Sequence, residues 1–396
     1  MNKYTKTIRC FIWVLFLTFL TCQKDEGTGS REIKWQFTGV SFLNSPALGS
    51  DGTIYAFGDN DTLYALNPDG SVKWRYGIPD TIWYHPSNIF VSPVIAPDGT
   101  IYLFAVDGNL YSLGNNGNLK WKKAIRTSFP TIYGTPALSA TGIIYVYAPE
   151  SLLAISPLGN TEWAAYVGGG SCITFPVVGK DGTIYIGADR DLVALNQDGS
   201  LKWSVDMSPA IYTADRLAIG GDNTVYVFGT GNNDAGNLLA YDKDGNFQWM
   251  CTLIDSDCVS VGTPVIGTDG TIYIGVATSS TEGWLCAVSP EGELKWKKES
   301  AGLLQQAYDL AIDDKGIIYT VDGAYKSDGT LDWRYPVSPV PIIAPGSPAI
   351  GSDGTIYLCS TTGLFAFKGT SPGLANSPWP RSRHDNRNSS NASGSD

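Results

Sequence analysis

An Ile-Tyr or Val-Tyr pair returns eight times along this 396-residue chain, with its tyrosine at positions 55, 102, 145, 185, 226, 273, 319 and 357. Each pair sits in a unit of the same shape. Residues 45–74 read SPALGSDGTIYAFGDNDTLYALNPDGSVKW, and residues 92–121 read SPVIAPDGTIYLFAVDGNLYSLGNNGNLKW. Every unit holds four short runs: a small one such as PALG, then TIYxx, then LYAL, then a run ending in Lys-Trp. β-Branched and aromatic residues alternate within them and no helical period appears, which predicts strands. Asp-Gly or Asn-Gly separates the first run from the second (Asp51-Gly52, Asp98-Gly99, Asp181-Gly182, Asp269-Gly270, Asp353-Gly354) and the third from the fourth (Asp69-Gly70, Asn116-Gly117, Asp198-Gly199, Asp244-Gly245, Asp328-Gly329). These residues accept positive φ and build tight hairpins. Four antiparallel strands per repeat, with closing tryptophans 37 to 47 residues apart, predict propeller blades. A solenoid uses fewer strands per shorter period, and a sandwich does not repeat its sequence. Small or β-branched residues open the first run (Ala47, Val94, Ala137, Val177, Ala218, Val265, Ala311, Ala349), as expected of an innermost strand beside a crowded channel.

The closing tryptophans Trp74, Trp121, Trp163, Trp203, Trp249, Trp296 and Trp333 number seven, one short of the tyrosines. The eighth unit, residues 347–369, ends after three runs. The missing run lies some 310 residues earlier, in IKWQF at 33–37. The expectation is an all-β, eight-bladed propeller of four-stranded antiparallel blades over residues 31–369, closed by residues 32–37 as the outermost strand of the last blade.

Residues 1–21 read as a secretory signal, with Lys3, Lys6 and Arg9 before the apolar FIWVLFLTFL. The following FLTC resembles the lipobox of bacterial lipoproteins, which makes Cys22 the expected lipid-bearing residue; Phe19 and Thr21 depart from the commonest pattern. Residues 22–30 form a tether whose QKDE is similar to a surface-export tag. The net charge of −11 becomes −14 once the three basic residues of the signal are removed. An acidic chain without a basic run is a poor partner for nucleic acid. Cys251 and Cys258 bracket six residues and could close a disulfide loop in an oxidising compartment.

The pattern DGTIYxG…LYALNxDGxxKW resembles the pyrroloquinoline-quinone-like (PQQ-like) β-propeller repeat family across nearly the whole mature chain. That family holds quinoprotein dehydrogenases and also the non-catalytic outer-membrane assembly lipoprotein BamB. The dehydrogenase branch implies an adjacent Cys-Cys disulfide and a calcium set; this chain has no adjacent cysteines and no loop matching that set. The resemblance therefore implies a fold and not a PQQ cofactor. DKDG at 242–245 lacks the further ligands of a calcium loop, so no metal is expected. Two histidines, His85 and His384, and no GxSxG elbow leave no recognisable catalytic set. A hydrolase or lyase built from distant carboxylates at the axis stays an alternative.

Function is expected on the face carrying the long loops. The candidate ligand-binding residues there are Trp83, Tyr84, His85, Phe129, Tyr133 and Tyr212, aromatic groups suited to a peptide or glycan; the alternative is that these rings pack between blades. The hairpin loops 229–237 and 277–283 are expected to form a rim. The leading expectation is a non-catalytic, membrane-anchored, cell-surface propeller binding a protein or glycan. A BamB-like periplasmic scaffold for outer-membrane protein assembly is the alternative. Residues 370–396 are expected to be a separate tail, with Trp379 anchored against a blade and the final residues frayed.

Overall fold

The computed structural model describes residues 31–79, 92–105, 107–125, 135–148, 150–168, 175–188, 190–279, 282–299, 309–336 and 346–393. The strands fall into eight antiparallel sheets arranged as the blades of a ring. Blade one is typical: from axis to rim it runs Ala47–Leu48, Ile54–Phe57, Thr62–Leu66 and Val72–Gly77. Blade six carries a fifth strand, Cys258–Val261, on the extended hairpin that spans 272–288. Seven blades are built from consecutive strands. The eighth takes Ala349–Ile350, Thr355–Ser360 and Gly363–Lys368 from the end of the ring and Ile33–Thr38 from its beginning. Trp35 pairs with Ala366 and Phe37 with Leu364. The closure expected from IKWQF is therefore present, with the strand at Ile33–Thr38, one residue later than the expected 32–37.

The repeated residue types each make a repeated contact. In every blade the strand-two tyrosine meets the strand-four tryptophan, with ring centroids 5.7 to 6.1 Å apart. The indole then reaches out of its own blade. Trp35, Trp74, Trp121, Trp163, Trp203, Trp249 and Trp296 donate Nε1–H to a carbonyl in the turn between the third and fourth strands of the next blade, at 2.7 to 3.1 Å. That turn presents a glycine to the ring face. A Cβ placed on Gly245 would lie 2.8 Å from Trp203, and one on Gly70 would lie 2.6 Å from Trp35. These glycines serve two needs, a positive φ and a flat seat for a neighbouring indole.

Only glycine takes positive φ in the Asp-Gly turns; the aspartate has a different role. Asp51 Oδ1 accepts the Thr53 N–H at 3.1 Å, and Lys73 Nζ bridges Asp51 Oδ2 and Thr53 Oγ1, both at 2.8 Å. Lys34, Lys120, Lys202 and Lys295 repeat this bridge in four other blades. Burial works to raise the Asp51 pKa, but the bonds from Lys73 and Thr53 outweigh it and hold it down to about 2. The DGT…KW signature is thus a clamp from the fourth strand to the first hairpin.

The seam breaks one rule. Trp333 of blade seven has no third-to-fourth turn to reach in blade eight, because the chain is interrupted there. Its Nε1 is buried without a hydrogen-bond partner, and the Arg31 guanidinium lies 5.2 Å from its ring. Tyr335 packs edge-on against Trp333 at 4.9 Å and against Phe367 at 4.7 Å, filling the junction with rings.

Deleting residues 31–39 removes the half-buried Ile33, Trp35 and Phe37 and is expected to cost roughly 5 kcal/mol; an unchanged thermal melt would reject the role of this strand as the clasp. Gly245→Ala is expected to lower the melting temperature more than Gly316→Ala. Both positions have positive φ, about 1 to 2 kcal/mol of strain for alanine, but a Cβ at Gly316 meets nothing within 4 Å. Equal losses would reject the indole seat.

Candidate binding face and axial channel

The antiparallel order puts the turns between strands one and two and between strands three and four of each blade on one face, and the hairpin loops between strands two and three on the other. Trp83, Tyr84, His85, Phe129 and Tyr133 fall in segments 80–91 and 126–134, outside the described residues, as does Cys22. Tyr212 is described. It is 40% exposed, its N–H donates to Thr230 O at 2.8 Å, and its hydroxyl donates to Asn232 Oδ1 at 2.7 Å. It therefore stands beside the hairpin loop 229–237, one of the two expected rim loops.

Next to it, an open groove of about 740 Å³ runs down the side of the ring between blades four and five. Met207, Pro209, Leu239, Phe247 and Met250 supply its apolar surface, and Asn232 and Asn237 its polar end. Phe247 is 56% and Met250 48% exposed. These two residues were not among the candidates from sequence. A signal for one of them existed: where blade two has LKWKKA on its outer strand, blade five has FQWMCTLI. Met250 stands in place of Lys122 at a solvent-facing position, whereas Phe247 takes the place of Leu119 and keeps the pattern.

Cys251 and Cys258 are both buried, and in this structure both carry thiols. They lie near Cys286, whose thiol burial pushes up to about 12.

The largest departure from expectation is the C-terminal tail. It is neither separate nor frayed through Ser393: residues 379–392 fill the axial channel, with Trp379, Arg381 and Asn388 fully buried. In seven blades the second residue of the two-residue inner strand points its N–H toward the axis, where no further strand can pair with it. The tail accepts these groups in circular order. Ile266 donates to Trp379 O, Ile312 to Pro380 O, Ile350 to Asn386 Oδ1, Leu48 to Asn386 O, Ile95 to Arg387 O, Leu138 to Ser389 O and Val178 to Ser390 O, at 2.7 to 3.2 Å. The segment thus winds once around the inside of the ring, from blade six through eight and one to blade four. Trp379 is the anchor, but it sits at the axis, and its ring meets His384 edge-on at 5.2 Å.

Two charged groups organise this winding. Arg381 donates to Pro348 O, Asp385 O, Pro46 O, Ser347 O and Asn388 Oδ1 at 2.7 to 3.2 Å. It bonds blade eight and blade one at once, opposite the clasp strand on the rim. Four backbone carbonyls meet its buried charge. Burial opposes ionisation of Asp385, but His384, Arg387 and the Ser389 N–H hold its carboxyl well below the usual range. Four non-glycine residues, Arg383, His384, Asn388 and Ser390, take positive φ at 51 to 73°. Such backbone persists only where the surroundings over-determine it. The tail was not legible from its Ser- and Asn-rich composition, because six of the seven bonds it accepts from the inner strands go to main-chain oxygens.

A chain ending at Gly373 loses these seven acceptors and the burial of Trp379. It is expected to be destabilised by roughly 5 kcal/mol, even with water hydrating the freed N–H groups; a melting temperature equal to that of the full chain would show the plug to be idle.

Comparisons with known proteins agree with this architecture. No curated relative matches the sequence. Among solved structures, BamB from Moraxella catarrhalis superposes with a TM-score of 0.56 at 16% identity, over 75% of this chain and 86% of that one. A catalytically inactive virginiamycin B lyase from Staphylococcus aureus, crystallised with quinupristin, gives 0.55 at 11% identity over 85% and 99%. The C-terminal WD40 domain of Sif2 gives 0.66 at 12% identity over 87% and 100%. At these identities the likeness is one of fold. The sequence itself carries more: a family model described as outer membrane protein assembly factor BamB matches residues 25–132 and 106–324. The chain belongs to this BamB-like family of PQQ-like propellers.

Proposed function

We propose that this protein is a non-catalytic binding propeller, held at the outer membrane by a lipid on Cys22, that engages a protein or glycan through its long-loop face. The observation that carries the reading is the pairing of a self-filled axis with an open apolar groove. The channel mouth, where a ring can gather residues from several blades, is taken up by the chain's own tail. The groove beside Tyr212 leaves large apolar side chains in solvent, which a monomeric surface normally avoids. A BamB-like scaffold role in outer-membrane protein assembly is favoured by the family match, and it places the propeller on the periplasmic side; the tag-like QKDE favours the cell surface. Protease treatment of intact cells distinguishes the two, since only a surface-displayed propeller is shaved.

The variant pair Phe247→Asp and Met250→Asp is expected to abolish partner recovery in crosslinked pull-downs from native membranes, at unchanged melting temperature. Recovery of the same partner at the same yield would overturn the assignment of the groove.

A further inference from the structure

The single turn made by the tail has a gap. The chain enters the axis at blade six and leaves it at blade four, so blade five, between them, is not followed by it. A small cavity of about 20 Å³ lies at that place, lined by Phe175, Arg216, Leu217, Trp379, Ser382 and Arg383 among others. Such a volume holds a water or a single ion.

The chemistry of the lining is unbalanced. Arg383 is 6% exposed, and its Nε and Nη1 are buried with no hydrogen-bond partner. Its guanidinium lies 4.1 Å from the Phe175 ring centroid, and that of Arg216 lies 5.8 Å from the same ring. A ring face holds a cation but satisfies none of its in-plane N–H groups. The carboxylate that acts on Arg383 is Asp309, and its oxygens already accept the Thr263 N–H at 2.7 Å and the Ser382 hydroxyl at 2.8 Å. Leaving a buried cation with two orphaned donors is costly. Burial together with Arg216 and Arg381 outweighs Asp309 and brings Arg383 down to about 9, still charged at neutral pH.

We infer that this gap is a binding site for a small monovalent anion, a halide ion or a single carboxylate group, seated on one of the unpartnered N–H groups of Arg383, at Nε or Nη1, beside Arg216. The site is independent of the groove between blades four and five. A free halide makes it a structural ion that completes the axial plug. A carboxylate makes it the anchor for an acidic group presented from the long-loop side.

The full chain is tested with bromide and formate as probes. Crystals soaked in bromide are expected to show an anomalous peak within hydrogen-bonding distance of Arg383 Nε or Nη1. At constant ionic strength, the melting temperature is expected to rise saturably in chloride or formate and not in gluconate, which is too large to enter. In Arg383→Gln the half-saturating concentration is expected to rise at least about tenfold, the loss of one charged hydrogen bond. A response to halide identifies a free ion; a response to formate alone identifies a ligand carboxylate. Water at the site with no anomalous peak, together with identical melts in chloride, formate and gluconate, would overturn the inference. Should Arg383→Gln fail to fold, the bromide map of the unaltered chain decides.

Discussion

The fold depends on one indole reaching across a gap. Trp35 lies in the outer strand of blade eight, packs on Tyr357 of that blade, and donates to Pro68 O in blade one. The other six latches join blades that the chain already connects covalently. This one joins the two ends of the ring. Without it, blades eight and one would each expose a face lined by large apolar groups, among them Tyr64, Leu66, Tyr357 and Leu364, all now packed in one cluster. Burying such a face is worth several kcal/mol by area. That energy is available only if the first strand crosses to the last blade.

The seam also shows what a closed repeat costs. A covalent hairpin supplies every other tryptophan with an acceptor, and the strand that closes the ring cannot supply one. Trp333 loses its hydrogen bond, and rings and an arginine fill the space instead. On the axis side, Arg381 strengthens the neighbouring junction, between blades eight and one, by bonding carbonyls of both. The ring is fastened twice at one place, by the earliest strand at the rim and by the last segment at the axis.

The blades were legible because side chains carry them. Tyrosine, tryptophan, lysine and the Asp-Gly turn each make a contact that no other residue type makes as well, so selection for the contact leaves a mark in the sequence. The closing strand was legible for the same reason, through Trp35. The axial winding was not, since its seven bonds use one side-chain atom, Asn386 Oδ1, and otherwise main-chain oxygens. A Ser- and Asn-rich segment that serves as an acceptor strip looks like a frayed end. The groove lay between these cases: Met250 breaks the lysine pattern of the outer strand, a local inconsistency that becomes meaningful only beside blade four, while Phe247 keeps the apolar position that Leu119 holds in blade two. The bond of Tyr212 to Asn232 depends on hairpin geometry that spacing alone does not give.

A tandem repeat normally has short-range topology: each unit touches its neighbours, and loss of structure can start at either end and spread. The axial segment changes that. Arg381 reaches Pro46, 335 positions away in sequence, and Asn388 reaches Pro93 across 295. The molecule combines local blades with contacts that nearly span its length, and such high contact order slows folding while coupling distant parts. The eight units are therefore bound into one cooperative body whose completion waits for the last residues of the chain, so that a molecule truncated by a few dozen residues is left without its keystone.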